Sequence, residues 1–187
     1  MENQPILSSE RLILRPFSLS DAPTVQILAG NQAIAATTLN IPHPYGDGVS
    51  EEWISHHHED YNSGKSITYA LTLQKTDLLV GGIGLSFEKE FEHAEIGYWI
   101  GVSYWGRGYC SEAARRLLEY GFVERGLNRI WARHFSLNPA SGCVMQKIGM
   151  QYEGCLRQHI KKWGVFQDMN YYGILRTEYS MAGQSIT

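Results

Sequence analysis

Seven short segments of the chain have the composition of β-strands, and in some of them hydrophobic and polar residues alternate, as in strands that bury one face. In 66–74, for example, the large apolar side chains are Ile67, Tyr69, Leu71 and Leu73. The connections after the second and third segments are short and predict antiparallel hairpins. The predicted strands are 10–17, 66–74, 78–87, 93–102, 128–135, 152–161 and 169–177.

Other segments repeat apolar residues at intervals of three or four, as amphipathic helices do. The clearest is 109–125, whose apolar stripe begins at Ala113 and which should end at Gly126. Because this helix connects the fourth and fifth strands, those two strands should run parallel in an otherwise antiparallel sheet. The fold class is therefore α+β, with a mixed sheet of about seven strands flanked by helices, in one domain over 1–187. The other predicted helices are 20–30, 31–38, 50–62 and 139–148.

Composition and charge restrict the function classes. The chain has 187 residues, 43% hydrophobic and 19% charged, which is typical of a soluble globular domain. A net charge of -3 argues against nucleic-acid binding, which needs a basic surface. No apolar run reaches the roughly 18 residues of a membrane span, and the polar start lacks the apolar stretch of a signal peptide. We expect a cytoplasmic protein without a membrane partner.

No metal site is predicted. Cys110, Cys143 and Cys155 form no Cys-x-x-Cys pair, which argues against a structural zinc site or a disulfide framework. The triplet 56–58 consists of histidines, but successive helical residues point about 100° apart and cannot chelate one ion from a single face. The triplet should instead belong to a solvated polar helix face together with Glu51, Glu52, Glu59 and Asp60.

A glycine-punctuated loop precedes the 109–125 helix. Gly106 and Gly108 permit a close approach of the backbone to a ligand, and Arg107 between them adds a positive charge. The free amides and the dipole at the start of the helix also favour an anion. These features predict a phosphate or pyrophosphate site, with an ordinary tight turn as the alternative.

The order of elements and several motifs together resemble the GCN5-related N-acetyltransferase (GNAT) family, in particular its ribosomal-protein N-terminal acetyltransferases. The resemblance extends over nearly the whole chain. It implies a V-shaped split between the fourth and fifth strands that holds acetyl-CoA. The matching motifs are ERLILRP at 10–16, AEIGYWI at 94–100, YWGRGYCSEA at 104–113, NRI at 128–130, NPAS at 138–141 and KIGM at 147–150.

The same resemblance implies which residues bind acetyl-CoA. The backbone of Trp99, Ile100 and Val102 would pair with the pantetheine arm. The loop and the helix start would hold the diphosphate, and the Asn138 side chain would contact the cofactor. The residues implied at the loop and helix start are Gly106, Arg107, Gly108, Tyr109, Cys110 and Ser111.

Glu95 is the candidate general base. It lies in an otherwise apolar strand, on the same face as Gly97 and Trp99. By its pattern alone it would be a surface carboxylate, whereas the family resemblance implies that it takes a proton from the amine.

Asn138 and Ser141 have the pattern of a helix start, with Asn138 as the N-cap and Pro139 in the first turn. The resemblance implies a second role, in which the Ser141 hydroxyl lies near the thioester sulfur and protonates the leaving thiolate, unless water does so. Many family members place a tyrosine in this helix as the general acid. Here Cys143, Val144 and Met145 occupy that region, so a tyrosine in the helix cannot supply the proton.

The function implied is direct transfer of an acetyl group from acetyl-CoA to a primary amine, with a protein N-terminal amine as the acceptor. Two alternatives stay open from the sequence. One is acetylation of a small molecule such as an antibiotic or a polyamine, and the other is an acyl-CoA-binding sensor with weak catalysis. The resemblance also leaves a homodimer open as the oligomeric state.

Overall fold

The computed structural model describes residues 3–179, and eight strands of this part form one mixed sheet in the order β1-β2-β3-β4-β5-β6-β8-β7. All neighbouring strands are antiparallel except β5 and β6, as predicted. The additional strand is β1, which is too short for an alternating pattern to reveal. The strands are β1 Leu7–Ser8, β2 Leu12–Pro16, β3 Ser66–Leu73, β4 Leu79–Glu88, β5 His93–Ile100, β6 Arg129–Phe135, β7 Gln151–Lys162 and β8 Val165–Leu175.

Helices cover both faces of this sheet. On one face, α5 and α6 bury a cluster that includes Leu117 and Met145. On the other face, α1 and α3 bury a second cluster around Val25 and Ile54, against Ala70 of β3. The helices are α1 Ala22–Ala29, α2 Gln32–Thr37, α3 Val49–Ser55, α4 His57–Ser63, α5 Tyr109–Glu119 and α6 Pro139–Lys147. No helix of the described residues is long and apolar enough to cross a bilayer.

Two predicted helices differ from the structure. The helix expected over 50–62 is divided at His56, because α3 packs against α1 whereas α4 packs against β3. The helix expected over 109–125 is α-helical only to Glu119 and continues as a π-helical turn over Tyr120–Glu124. Gly126 follows this turn with a φ of +68°, which confirms the predicted stop.

The sheet splits between β5 and β6. These strands pair only through His93 with Arg129, Ala94 with Ile130 and Glu95 with Trp131. Beyond this point β5 stays paired with β4 to Ile100, and β6 stays paired with β8 to Phe135. The predicted V-shaped split is thereby confirmed, and the edges of both strands that face the gap have backbone groups free for a ligand.

Candidate active site

A cavity of about 1170 Å³ passes through the gap between β5 and β6. Residues from both faces of the sheet line it. Ser111 and Ser141 line it on the side of α5 and α6, and Tyr45 and Trp53 line it on the side of α1 and α3. The cavity therefore extends to both faces of the sheet.

The loop before α5 has the backbone geometry of an anion site. Gly106 and Gly108 have φ values of +74° and +79°, which residues with a Cβ rarely adopt. Gly108 is the N-cap and provides no side-chain cap, so the amides of Tyr109, Cys110 and Ser111 lack an acceptor within the helix. These donors and the positive end of the α5 dipole lie at the cavity and favour a phosphate group.

The side chains of this loop point in different directions. The exposed Arg107 guanidinium lies 5.8 Å from the centre of the Tyr104 ring. Ser111 is buried and lines the cavity. The Cys110 side chain packs against the core, and burial raises the pKa of its thiol, which keeps the thiol neutral and unreactive as a nucleophile.

Arg11, the residue just before β2, supports this loop and was missed by sequence reasoning. Its Nε donates to Glu112 Oε2 at 2.7 Å, and its Nη1 donates to the Arg107 carbonyl at 3.1 Å. The Arg11 guanidinium also lies 4.8 Å from the centre of the Tyr109 ring. Arg11 and Glu112 are 101 positions apart, so only the three-dimensional fold brings them together. The contacts hold the loop backbone in the shape that exposes its amides.

Glu95 and Arg133 form an ion pair just where the strands separate. Arg133 Nε donates to Glu95 Oε1 at 2.9 Å, and the two side chains are 28% and 29% exposed. Burial alone would lower the pKa of Arg133, but Glu95 and the Tyr171 hydroxyl raise it on balance. The guanidinium thus stays charged and fixes one carboxylate oxygen. Sequence reasoning selected Glu95 and missed Arg133, because an arginine in an alternating strand is ordinarily a solvated surface residue.

Ser141 lies in the first turn of α6 and lines the cavity next to β5. The Tyr98 hydroxyl of β5 is 2.9 Å from Ser141 Oγ and 3.1 Å from the Ser141 carbonyl oxygen. The predicted N-cap is confirmed, because Asn138 Oδ1 accepts a hydrogen bond from the Ser141 N–H at 3.3 Å. Asn138 Nδ2 also donates to the Thr37 carbonyl at 3.5 Å, which links α6 to the end of α2.

The end of β5 lies beside the gap. On the side of β5 away from the gap, Trp99 pairs with Gly82 of β4. The Ile100 carbonyl accepts a hydrogen bond from Trp105 Nε1 at 2.6 Å, so one of its lone pairs is already used. Val102 is exposed in a 3-10 turn after β5, which corrects the prediction that the strand reaches this residue.

The histidine triplet was predicted wrongly in one respect. His56 and His58 are exposed, but His57 is buried, and its ring centre is 4.4 Å from that of Trp53 and 5.4 Å from that of Phe17. Burial lowers the pKa of His57 to about 4. A neutral imidazole can be buried among aromatic rings. The prediction of a solvated polar helix face did not consider this possibility. Within residues 3–179 no group of three metal-ligating side chains is close enough to hold an ion.

Residues 11–151 match the family model described as the acetyltransferase (GNAT) domain. The chain is 31% identical over 176 residues to an uncharacterized N-acetyltransferase, p20, of Bacillus licheniformis, which covers 93% of this chain and 98% of p20. It is also 33% identical over 99 residues to the ribosomal-protein-serine acetyltransferase of Escherichia coli, covering 52% of this chain and 55% of that protein.

Solved structures have the same fold. The crystal structure of a GNAT-family acetyltransferase from Bacillus anthracis superposes with a TM-score of 0.81 at 29% identity, covering 92% of this chain and 99% of that one. RimL, a ribosomal L7/L12 alpha-N-protein acetyltransferase in complex with coenzyme A, superposes with a TM-score of 0.81 at 25% identity, covering 91% and 98%.

Proposed function

We propose that this chain, which belongs to the GNAT acetyltransferase family, transfers the acetyl group of acetyl-CoA directly to a protein N-terminal amine. The observation that carries the proposal is the split between β5 and β6, beside the uncapped start of α5. The split offers free backbone groups to an extended ligand, and the helix start offers amides to its phosphates.

The space at the loop fits a diphosphate. A Cβ built at Gly106 would meet no atom of the described residues within 4 Å, and one built at Gly108 would meet only Arg11 Nη2, at 3.5 Å. In the proposal the amides of Tyr109, Cys110 and Ser111 bind the diphosphate, and Arg107 adds its charge.

In the proposal, the end of β5 at Trp99 and Ile100, together with Val102 in the turn that follows it, runs beside the pantetheine arm. Asn138, at the start of α6, contacts the cofactor from the opposite wall. When bound, the cofactor supplies an activated thioester whose carbonyl carbon an amine can attack.

The chain's own residues supply the proton chemistry. Glu95 takes a proton from the incoming ammonium, directly or through a water, while Arg133 holds the carboxylate in place. Ser141 lies on the other side of the gap, where its hydroxyl can donate a hydrogen bond to the departing sulfur. No covalent acyl-enzyme is needed, because both reactants occupy one cavity.

The choice of acceptor rests on the relatives. RimL and the Escherichia coli relative are named for acetylation of ribosomal proteins. In addition, the Glu52 carboxylate and the Trp53 ring at the cavity suit a cationic amine. The solved spermidine N-acetyltransferase SpeG chimera, at 20% identity and a TM-score of 0.77, shares the fold and gives no preference for a polyamine.

An acceptor screen tests the proposal, with release of free CoA thiol as the readout. Peptides with free N-termini should be acetylated, whereas the same peptides blocked at the N-terminus should not. Turnover of polyamines or antibiotics alone would replace the peptide assignment by a small-molecule one. Binding of acetyl-CoA without turnover of any amine would favour a sensor.

A further inference from the structure

The helix after β6 lacks a tyrosine, yet a tyrosine hydroxyl is present at the first turn of that helix. Tyr98 of β5 brings it there, with its oxygen 2.9 Å from Ser141 Oγ and 3.1 Å from the Ser141 carbonyl oxygen. Tyr98 is half-buried, and both Tyr98 and Ser141 line the cavity. The phenol is therefore bound to the same residue twice, at the serine that faces the gap.

The number of hydrogens in this pair limits its arrangements. If Tyr98 donates to the Ser141 carbonyl, the Ser141 hydroxyl can donate to the phenol oxygen, and neither hydrogen points to the gap. If Tyr98 donates to Ser141 Oγ, the serine hydrogen is released to point elsewhere. A negative charge in the gap favours the second arrangement, because hydrogen bonds to charged acceptors are the stronger ones.

We propose that Tyr98 is a positioning residue, which orients the Ser141 hydroxyl toward the sulfur that leaves during acetyl transfer. This inference rests on the proposed function of the cavity. As the C–N bond forms and the C–S bond breaks, the electron pair of the latter passes to sulfur. Ser141 donates a hydrogen bond to this thiolate, and Tyr98 donates to Ser141 Oγ.

Tyr98 does not itself give up its proton. Burial raises the pKa of its phenol well above the ordinary value, and the hydrogen bond with Ser141 offsets this only in part. A tyrosinate at this position would thus be costly. The nitrogen must lose a proton when the amide forms, and this proton can neutralise the thiolate. The step balances with both hydroxyls intact.

The first test measures the bound product rather than turnover. Coenzyme A bound to the wild-type protein is titrated with pH, and the thiolate is followed by its ultraviolet absorbance. Tyr98→Phe and Ser141→Ala should each raise the pKa of the bound thiol by about one unit, since each removes support for the negative charge. Tyr69→Phe is the matched control, because Tyr69 is a buried tyrosine of the same sheet whose hydroxyl has no partner among the described residues.

The second test is a double-mutant cycle on kcat. Tyr98→Phe should lower kcat roughly tenfold in the wild-type background and less than about twofold in the Ser141→Ala background, with KM for acetyl-CoA little changed. An equal loss in both backgrounds, or a thiol pKa that Tyr98→Phe leaves unchanged, would overturn the positioning role. Failure of the wild-type protein to bind coenzyme A in calorimetry would instead contradict the proposed function.

Discussion

Glu95 of β5 and Arg133 of β6 are joined by a 2.9 Å hydrogen bond at the point where their strands part. The pair lies on the face of the sheet opposite α5 and α6, whereas Ser141 lies on the α6 side. The proposed base and the proposed thiolate donor therefore approach the cavity from opposite sides. This arrangement suits the proposed direct transfer, because the group that deprotonates the amine and the group that faces the sulfur lie on different sides of one cavity.

Replacement of Glu95 by Gln should lower kcat by about 100-fold or more, because an amide cannot take the ammonium proton. The amide oxygen can still accept the hydrogen bond from Arg133, so the local structure should persist. Thiol release at saturating substrates gives kcat, and the acetyl-CoA KM should change little.

Glu153→Gln is the matched control for this prediction. Glu153 also pairs with an arginine of β6, Arg129, but neither residue lines the cavity. Its replacement should leave kcat unchanged. If Glu95→Gln retained wild-type kcat, Glu95 would not be the base.

Gly97 lies at the cavity between β5 and β6, on the proposed path of the reactants. It is exposed on β5 between Glu95 and Trp99, and a Cβ built there would meet no atom of the described residues within 4 Å. Gly97→Val should therefore fold with nearly unchanged thermal stability, since valine also suits a strand. Its side chain would project into the reactant path and lower kcat/KM by more than about tenfold.

Gly97→Ala should lower kcat/KM less than Gly97→Val does, because the alanine side chain is smaller. Thermal unfolding and thiol release measured on the same samples separate the two effects. A valine variant with full activity would mean that the reactants do not pass this part of β5.

Arg107→Ala should raise the KM for acetyl-CoA by roughly tenfold while kcat changes much less, because in the proposed phosphate site the guanidinium adds charge without touching the reacting atoms. Arg157→Ala, an exposed arginine of β7, is the control that removes one charge elsewhere. The phosphate role of Arg107 would be refuted by equal KM values in both variants.

His57 makes the stability of the protein depend on pH. Burial lowers the pKa of His57 to about 4 from an ordinary value of 6.5. Between these values the unfolded chain binds the extra proton and the folded chain does not, so the free energy of unfolding falls as the pH decreases. The loss attributable to this residue should approach about 3 kcal/mol near pH 4.

His57→Phe should remove this part of the pH dependence, because the ring stays within its aromatic neighbours and carries no titrating group. Both imidazole nitrogens lack hydrogen-bond partners among residues 3–179, so no such bond is lost. Denaturant unfolding between pH 7 and pH 4 measures the difference. His58→Phe changes an exposed neighbour and should keep the wild-type slope, and the same slope in His57→Phe would contradict the prediction.

The sequence predicted best those features that depend on a single strand, helix or loop. Strand alternation and the spacing in 109–125 follow from burial of one face, so they could be read without the fold. The glycine loop could also be predicted, because Gly106 and Gly108 lie directly before a helix start in a short stretch of sequence. The parallel contact of β5 and β6 followed from the intervening helix alone.

Pairings between distant elements could not be read in this way. Arg133 reaches Glu95 over 38 positions, and Tyr98 reaches Ser141 over 43. Nothing in the local pattern of β6 distinguishes Arg133 from a solvated arginine. His57 was misjudged for the same reason, since only the fold brings Phe17 next to α4.

The decisive measurement is calorimetric titration of coenzyme A into the wild-type protein, Gly108→Val and Gly126→Val. Gly108 and Gly126 have similar positive φ values, +79° and +68°, so valine strains both backbones comparably. Only Gly108 lies at the cavity. Coenzyme A should bind to the wild type and to Gly126→Val but not to folded Gly108→Val. Equal binding by all three proteins would contradict a diphosphate site at the start of α5.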